Sequence, residues 1–348
     1  CSRLAALSRA GVLLLAGAYL LAGCDRVTNS PHPNGAEKTN TFFTAFTERS
    51  PKYLDPTASY SLDETPYTYA IYEPLYRFHY LKRPYEVAPR AAETIATPRY
   101  YDKAGRELPA DAPGAEIAES VYDIRLRKGI LFSPHPAFAK DDAGNLRYHA
   151  LTAKDLGDKR TPVDFEHRGT RELTARDYVY AIRRLATTRI KSPSFSPMAE
   201  HIVGLKDYGE LISKEDEKLR NGRPLTDRNL PFLDFRQFPL AGVEAIDDHT
   251  LRIRLDGKYP QFKYWLTMSF FSPVPWEVDR FYAQPGMNER NLSMNYWPVG
   301  TGPFMLTEYQ ENRRHVLSRN PNFGGEPYPC EGEEADKAMV VPPGFSVQ

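Results

Sequence analysis

Apolar positions along this chain recur every second residue in some stretches and every third or fourth in others. The two-residue period is clearest in "VYDIRLRKG" (121–129). Tyr122, Ile124 and Leu126 fall on one side and Asp123, Arg125 and Arg127 on the other, which predicts a half-buried strand closed by a turn at Gly129. "GVEAIDDHTLRIRLDG" (242–257) predicts strand, Asp-Asp turn, strand, with Leu251, Ile253 and Leu255 alternating against Arg252, Arg254 and Asp256. The helical period is clearest in "LTARDYVYAIRRLATT" (173–188). There Thr174 is a good N-cap with Asp177 three residues on, and Val179, Ile182 and Ala186 form an inward stripe. Arg183 and Arg184 are then expected to face solvent. "TPYTYAIYEPLYRF" (65–78) starts as a helix that Pro74 ends or kinks. "NTFFTAF" (40–46) reads as a buried strand, and "YPQFKYWLTMSFFSPVP" (259–275) as an aromatic-rich helix ending at "SPVP". "VGTGPFMLTEY" and "HVLSRNPNF" give a Gly-Pro turn and two strands, whereas residues 133–171 have little period and are expected to be a solvated surface insertion.

The N-terminal apolar run is of another kind. "AGVLLLAGAYLLA" (10–22) follows Arg3 and Arg9; as a helix it would rise about 20 Å, short of a bilayer core of roughly 30 Å. A basic start, a short apolar middle and small residues describe an export signal. Leu21-Ala22-Gly23-Cys24 resembles the lipobox of bacterial lipoproteins, which implies acylation of Cys24. Asp25 behind it resembles an inner-membrane retention signal. Residues 1–23 are then the signal peptide and 24–40, polar with Pro, Gly and Asn, a tether.

Charges balance at 45 basic and 45 acidic residues, which argues against nucleic acid as a partner. The 348 residues suffice for one large or two ordinary domains. Of the three cysteines, Cys1, Cys24 and Cys330, the first two are accounted for by signal and lipid, and Cys330 is left without an evident partner. No cofactor or metal is expected: there is no CxxC pair, GxSxG, HExxH or Walker-type loop. His135, His149 and His167 share the insertion with Asp155, Asp164 and Glu166 but match no ligand spacing. Asp247-Asp248-His249 reads as a hairpin turn, not a charge relay. Gly300-Thr301-Gly302-Pro303 permits close backbone approach, by a turn or a ligand, and Tyr296-Trp297 before it offers rings that pack or stack.

The order of the motifs carries more than any one of them. "YLDP" (53–56), "YEPLYRF" (72–78), "APRAAE" (88–93), "YDIRLRKGILF" (122–132), "LTARDYVYAIRRL" (173–185), "AIDDHTLRIRL" (245–255), "SPVP" (272–275), "PVGTGPF" (298–304) and "RNPNF" (319–323) follow one another. This succession resembles the family 5 extracellular solute-binding proteins of bacterial ABC importers, the oligopeptide, dipeptide and nickel-binding group. The resemblance implies an α/β, periplasmic-binding-protein type II fold, with lobe I at 41–62 and 270–348 and lobe II at 63–269 carrying the insertion. Family members continue beyond "RNPNF", so the sequence is expected to stop short of a C-terminal lobe.

The implied function is a lipid-anchored, monomeric periplasmic receptor for a peptide-like solute. It would be catalytically inert and would dock on an ABC permease and ATPase complex. Candidate ligand-binding residues are Glu48, Ser50, Phe195, Tyr296, Trp297 and Gly302. Two alternatives remain at this point: an envelope hydrolase with its catalytic residues in the insertion or in sequence not given, and a periplasmic chaperone or sensor on the same fold.

Overall fold

The computed structural model describes residues 41–45, 49–326 and 328–336. The chain divides into two compact units, 1–47 and 48–348. Of the first, residues 41–45 form no regular element and are exposed, Phe42 by 89%. The expected buried strand is therefore not formed over those five positions: an apolar run permits a strand, but a ladder and a covered face are what fix one. The signal, Cys24 and Glu48 lie outside the described residues.

In the second unit the elements run α1 (Thr65–Ile71), β1 (Tyr76–Phe78), β2 (Val87–Pro89), β3 (Arg99–Tyr101), β4 (Glu107–Leu108) and β5 (Glu119–Arg125). After the insertion come α2 (Ala175–Arg184), α3 (Phe195–Ala199), α4 (Leu205–Arg220), β6 (Val243–Asp247) and β7 (Thr250–Asp256). The last are α5 (Phe262–Trp265), α6 (Trp276–Tyr282), β8 (Phe304–Gln310) and β9 (Arg314–Arg319). The main sheet has the order β4-β3-β5-β7-β6, and β1-β2 and β8-β9 are separate hairpins. The fold thus mixes helix and sheet, in keeping with the α/β class read from the sequence.

Register explains the alternation. Tyr122 pairs with Ile253 and Ile124 with Leu251, so Tyr122 and Ile124 of β5 share one buried face with Leu251, Ile253 and Leu255 of β7. The opposite face carries cross-strand ion pairs: Arg252 Nε lies 2.6 Å from Asp123 Oδ1, and Arg254 Nη2 lies 2.6 Å from Glu119 Oε2. At the hairpin tip the His249 N–H donates to Asp247 Oδ1 at 2.7 Å, so the Asp-Asp sequence is a turn as expected.

α2 packs over β6 and β7. Its capping box of Thr174 and Asp177 is present, and Val179, Ile182 and Ala186 are buried. Arg184 departs from expectation. It is 3% exposed, and its guanidinium spans Asp55 (2.6 and 2.7 Å) and Asp279 of α6 (2.7 and 2.9 Å), while Nη1 also donates to Thr57 Oγ1 at 2.6 Å. A charged residue in a helix pattern says solvent only while its counter-charges are unknown; here both arrive from distant sequence. The expected helix at 259–275 is the four-residue α5 followed by a 3-10 turn, Ser269–Phe271. Phe262, Leu266 and Phe271 are all fully buried, and tertiary packing rather than a helical period sets the path there.

The insertion also differs from the expected solvated loop. Bridges Leu131↔Glu172 and His135↔Gly169 tie its ends together, and His135, Phe138, Leu156 and Phe165 are buried. It lies against α6 and the segment behind it. Leu151 N–H donates to Gln284 Oε1 (2.7 Å), Gln284 Nε2 to the Tyr148 carbonyl (2.7 Å), and Arg290 Nη1 to the Gly157 carbonyl (2.7 Å). Ends pinned by bridges and a core of its own make it part of the fold, although its sequence shows no period.

Candidate ligand-binding site

The surroundings of Gly300 to Gly302 begin with α1. Its last residue, Ile71, turns its carbonyl toward the glycine loop, and the Gly302 N–H donates to it at 2.8 Å. A Cβ on Gly302 would stand 2.7 Å from that oxygen, and one on Gly300 would overlap it outright, so only glycine admits the approach. The carbonyls of the loop are committed as well. Ser133 N–H donates to Gly300 (2.9 Å) and Asn320 Nδ2 to Gly302 (2.9 Å). The glycines therefore join α1, the entry to the insertion and the turn after β9.

Beside the loop, β8 and β9 hold an aromatic cluster. The Tyr309 ring stacks on His315 at 4.4 Å between centroids, and Tyr296 (5.3 Å) and Trp297 (6.5 Å) meet it edge-on. His315 Nδ1 lies 2.8 Å from the Tyr67 hydroxyl of α1, and Nε2 lies 3.2 Å from Ser50 Oγ. Asn312 N–H donates to the same Ser50 oxygen at 2.6 Å. The fold thus gathers Ser50, Tyr296, Trp297 and Gly302 into one neighbourhood. Phe195 is not among them: it opens α3 and packs against Gly209 of α4, where an added Cβ would meet its Cζ at 2.5 Å. Tyr309 and His315 were missed in the sequence. Their strands were legible, but nothing in strand alternation says that a histidine and a tyrosine in opposed register will stack.

Ser50, His315 and Tyr67 have the outline of a nucleophile, a base and an orienting group. Burial argues against that chemistry. Ser50 is 6% exposed and its oxygen already accepts a hydrogen bond, while desolvation pushes His315 down to about 4, too low for a base poised near neutrality. The histidines of the insertion form no metal set, and among the described residues no group of three or more His, Cys, Asp or Glu could hold an ion. His135 is held neutral instead. Burial pushes it down to about 3, its Nδ1 accepts from Ala137 N–H (3.2 Å), and its Nε2 faces the Tyr282 hydroxyl at 2.9 Å. Tyr282 in turn donates to the Trp297 carbonyl at 2.8 Å. This chain of bonds lets the insertion fix the position of Trp297.

Between the insertion and β8 lies a crevice of about 30 Å³, lined by Ser133, Pro134, Val163, Arg168, Trp297 and Met305 among others. That is room for about one water, against roughly 300–1,000 Å³ for a small-molecule pocket. The described residues therefore supply a wall, mostly apolar with one cation, and not an enclosed pocket.

Residues 163–331 match the family described as bacterial extracellular solute-binding proteins, family 5 Middle. Over those residues the chain is similar to that family. It is 31% identical over 220 residues to the periplasmic oligopeptide-binding protein OppA of Escherichia coli (strain K12), covering 61% of this chain and 32% of that one. To the peptide transport periplasmic protein SapA of Salmonella typhimurium it is 30% identical over 97 residues, 27% of this chain and 17% of that one. A solved oligopeptide ABC transporter substrate-binding domain from Bacillus anthracis is 17% identical with a TM-score of 0.48, over 81% of this chain and 38% of that one. The chain spans about a third or less of the length of these curated relatives. Among the described residues no helix is long and apolar enough to cross a membrane.

Proposed function

We propose that this chain is part of a periplasmic receptor that binds a peptide-like solute and delivers it to an ABC permease, with ATP hydrolysed on a separate subunit. The observation that carries the reading is the family 5 match over residues 163–331, together with relatives named as oligopeptide-binding and peptide-transport proteins. The geometry is compatible with it. Trp297 and Arg168 line the crevice, with Tyr296 next to Trp297 in the chain, so the wall offers aromatic surface and one cation to a solute with apolar or anionic groups. A wall holding only about one water would become a pocket when a second lobe closes over it.

The finer parts of the proposal are the lobe division at 41–62, 63–269 and 270–348, the monomeric state, and a lipid on Cys24 that holds the receptor at the inner membrane. Palmitate labelling of cells should tag the wild-type product and not C24A; equal labelling of both removes the anchor from the account. For the solute, the complete product of the gene should gain thermal stability with peptide pools. A ligand at about 100 times its Kd adds about 2.7 kcal/mol by mass action. An unchanged melting temperature across peptides and metal chelates would count against the receptor.

A further inference from the structure

A second polar site is built where the β1-β2 hairpin crosses the end of β5. The Arg90 N–H donates to the Leu75 carbonyl, the Arg127 N–H to the Ala91 carbonyl, and Ala92 bridges Leu126. This register sets Arg77 of β1, Arg90 just past β2 and Arg127 just past β5 around one buried carboxylate, Glu73, which is 3% exposed. Glu73 Oε1 lies 3.8 Å from Arg90 Nε and 3.9 Å from Arg127 Nη2, beyond hydrogen-bonding range for both. Among the described residues neither the Arg90 nor the Arg127 side chain makes a hydrogen bond, and the buried Nε atoms of Arg90 and Arg77 have no partner. Arg77 also pairs with Glu326.

Buried guanidinium donors left unsatisfied are costly, and a native cluster of them calls for an occupant. Three arginines face two carboxylates, so the occupant should carry negative charge. The arginines also oppose one another: burial first, then Arg90 and Arg127, pull Arg77 below its ordinary value. Water would satisfy donors but not relieve that repulsion. The forks come from three separate segments, the middle of β1 and the residues just past β2 and β5, which suits an anion with oxygens pointing in several directions better than a flat carboxylate.

We propose that Arg77, Arg90 and Arg127 form a binding site for a tetrahedral oxyanion of the phosphate or sulfate class. The site does not depend on the receptor reading, because it draws on none of the residues at the Trp297 crevice. Inorganic phosphate titrated calorimetrically into the full chain, at ionic strength matched with chloride, should give saturable binding. R127A should weaken it at least about tenfold, since a charge-assisted pair is lost, and R127K should restore part of it. R125A, at the exposed last residue of β5, should bind as wild type does. Glycerol phosphate binding as tightly as phosphate marks a phosphoester as the source, and weaker binding marks the free ion. The Arg127 side chain is 46% exposed, so the variant should fold; if its far-UV dichroism is lost, R127K carries the test, weakened affinity supporting the site and wild-type affinity overturning it. No saturable heat beyond the chloride control, or equal affinity in R127A, overturns the proposal.

Discussion

Replacing Arg184 with methionine tests the packing logic of the fold. The substitution keeps the side-chain bulk and removes the charge, leaving Asp55 and Asp279 facing each other with the Thr57 hydroxyl. Arg184 and Asp55 are each 3% exposed, and four nitrogen–oxygen contacts of 2.6–2.9 Å join the arginine to the two carboxylates. Breaking a buried pair from one side costs about 3–5 kcal/mol, because the abandoned charges stay buried. Total domain stability is about 5–15 kcal/mol, so R184M should forfeit a large share of it. A matched control is R254M. Its guanidinium grips Glu119 at 2.6 Å, but with the arginine side chain 39% exposed, and such surface pairs contribute about 0–1 kcal/mol. Equilibrium urea unfolding followed by tryptophan fluorescence reads both. If R184M costs no more than R254M, the buried network is wrong and Arg184 faces solvent as its helix pattern alone would say.

Other consequences follow from single residues. G300A should unfold or severely weaken the protein, since its Cβ would overlap the Ile71 carbonyl; G324A, with nothing within 4 Å, should melt within about 2 °C of wild type. His135 is held down to about 3 against an ordinary value of 6.5, so the unfolded chain binds the proton more readily. Stability should be full above pH 6.5 and fall as pH drops from 6.5 toward 3, by on the order of 3–5 kcal/mol in total. H135Q should flatten that part of the curve measured by thermal melts, and an unchanged slope would show that His135 is solvated. Among the described residues Cys330 is free and exposed, so in the folded protein it should react with a thiol reagent at the rate of a free thiol, and C330S should abolish that phase.

Strands with two-residue alternation and the capped helix α2 were legible because one buried face imposes its period on the sequence. The order of motifs likewise carried the similarity to family 5. What stayed hidden was set by partners far along the chain. Arg184 looks like a surface residue until Asp55 and Asp279 are beside it. The insertion looks like loose chain until His135 and Phe165 are seen against α6. At the candidate site, Tyr296 and Trp297 were found as neighbouring rings, but Tyr309 and His315, which hold them, came from two strands whose pairing the sequence does not state. Gly302 was found for the right property, close approach, though what approaches it is a helix carbonyl.

The most direct test of the account is native mass spectrometry of the gene's complete product, purified without denaturant and then incubated with a peptide pool. The account predicts an added mass of peptide size that survives gentle transfer and is released on unfolding. A spectrum showing only the bare protein before and after incubation would contradict the receptor reading.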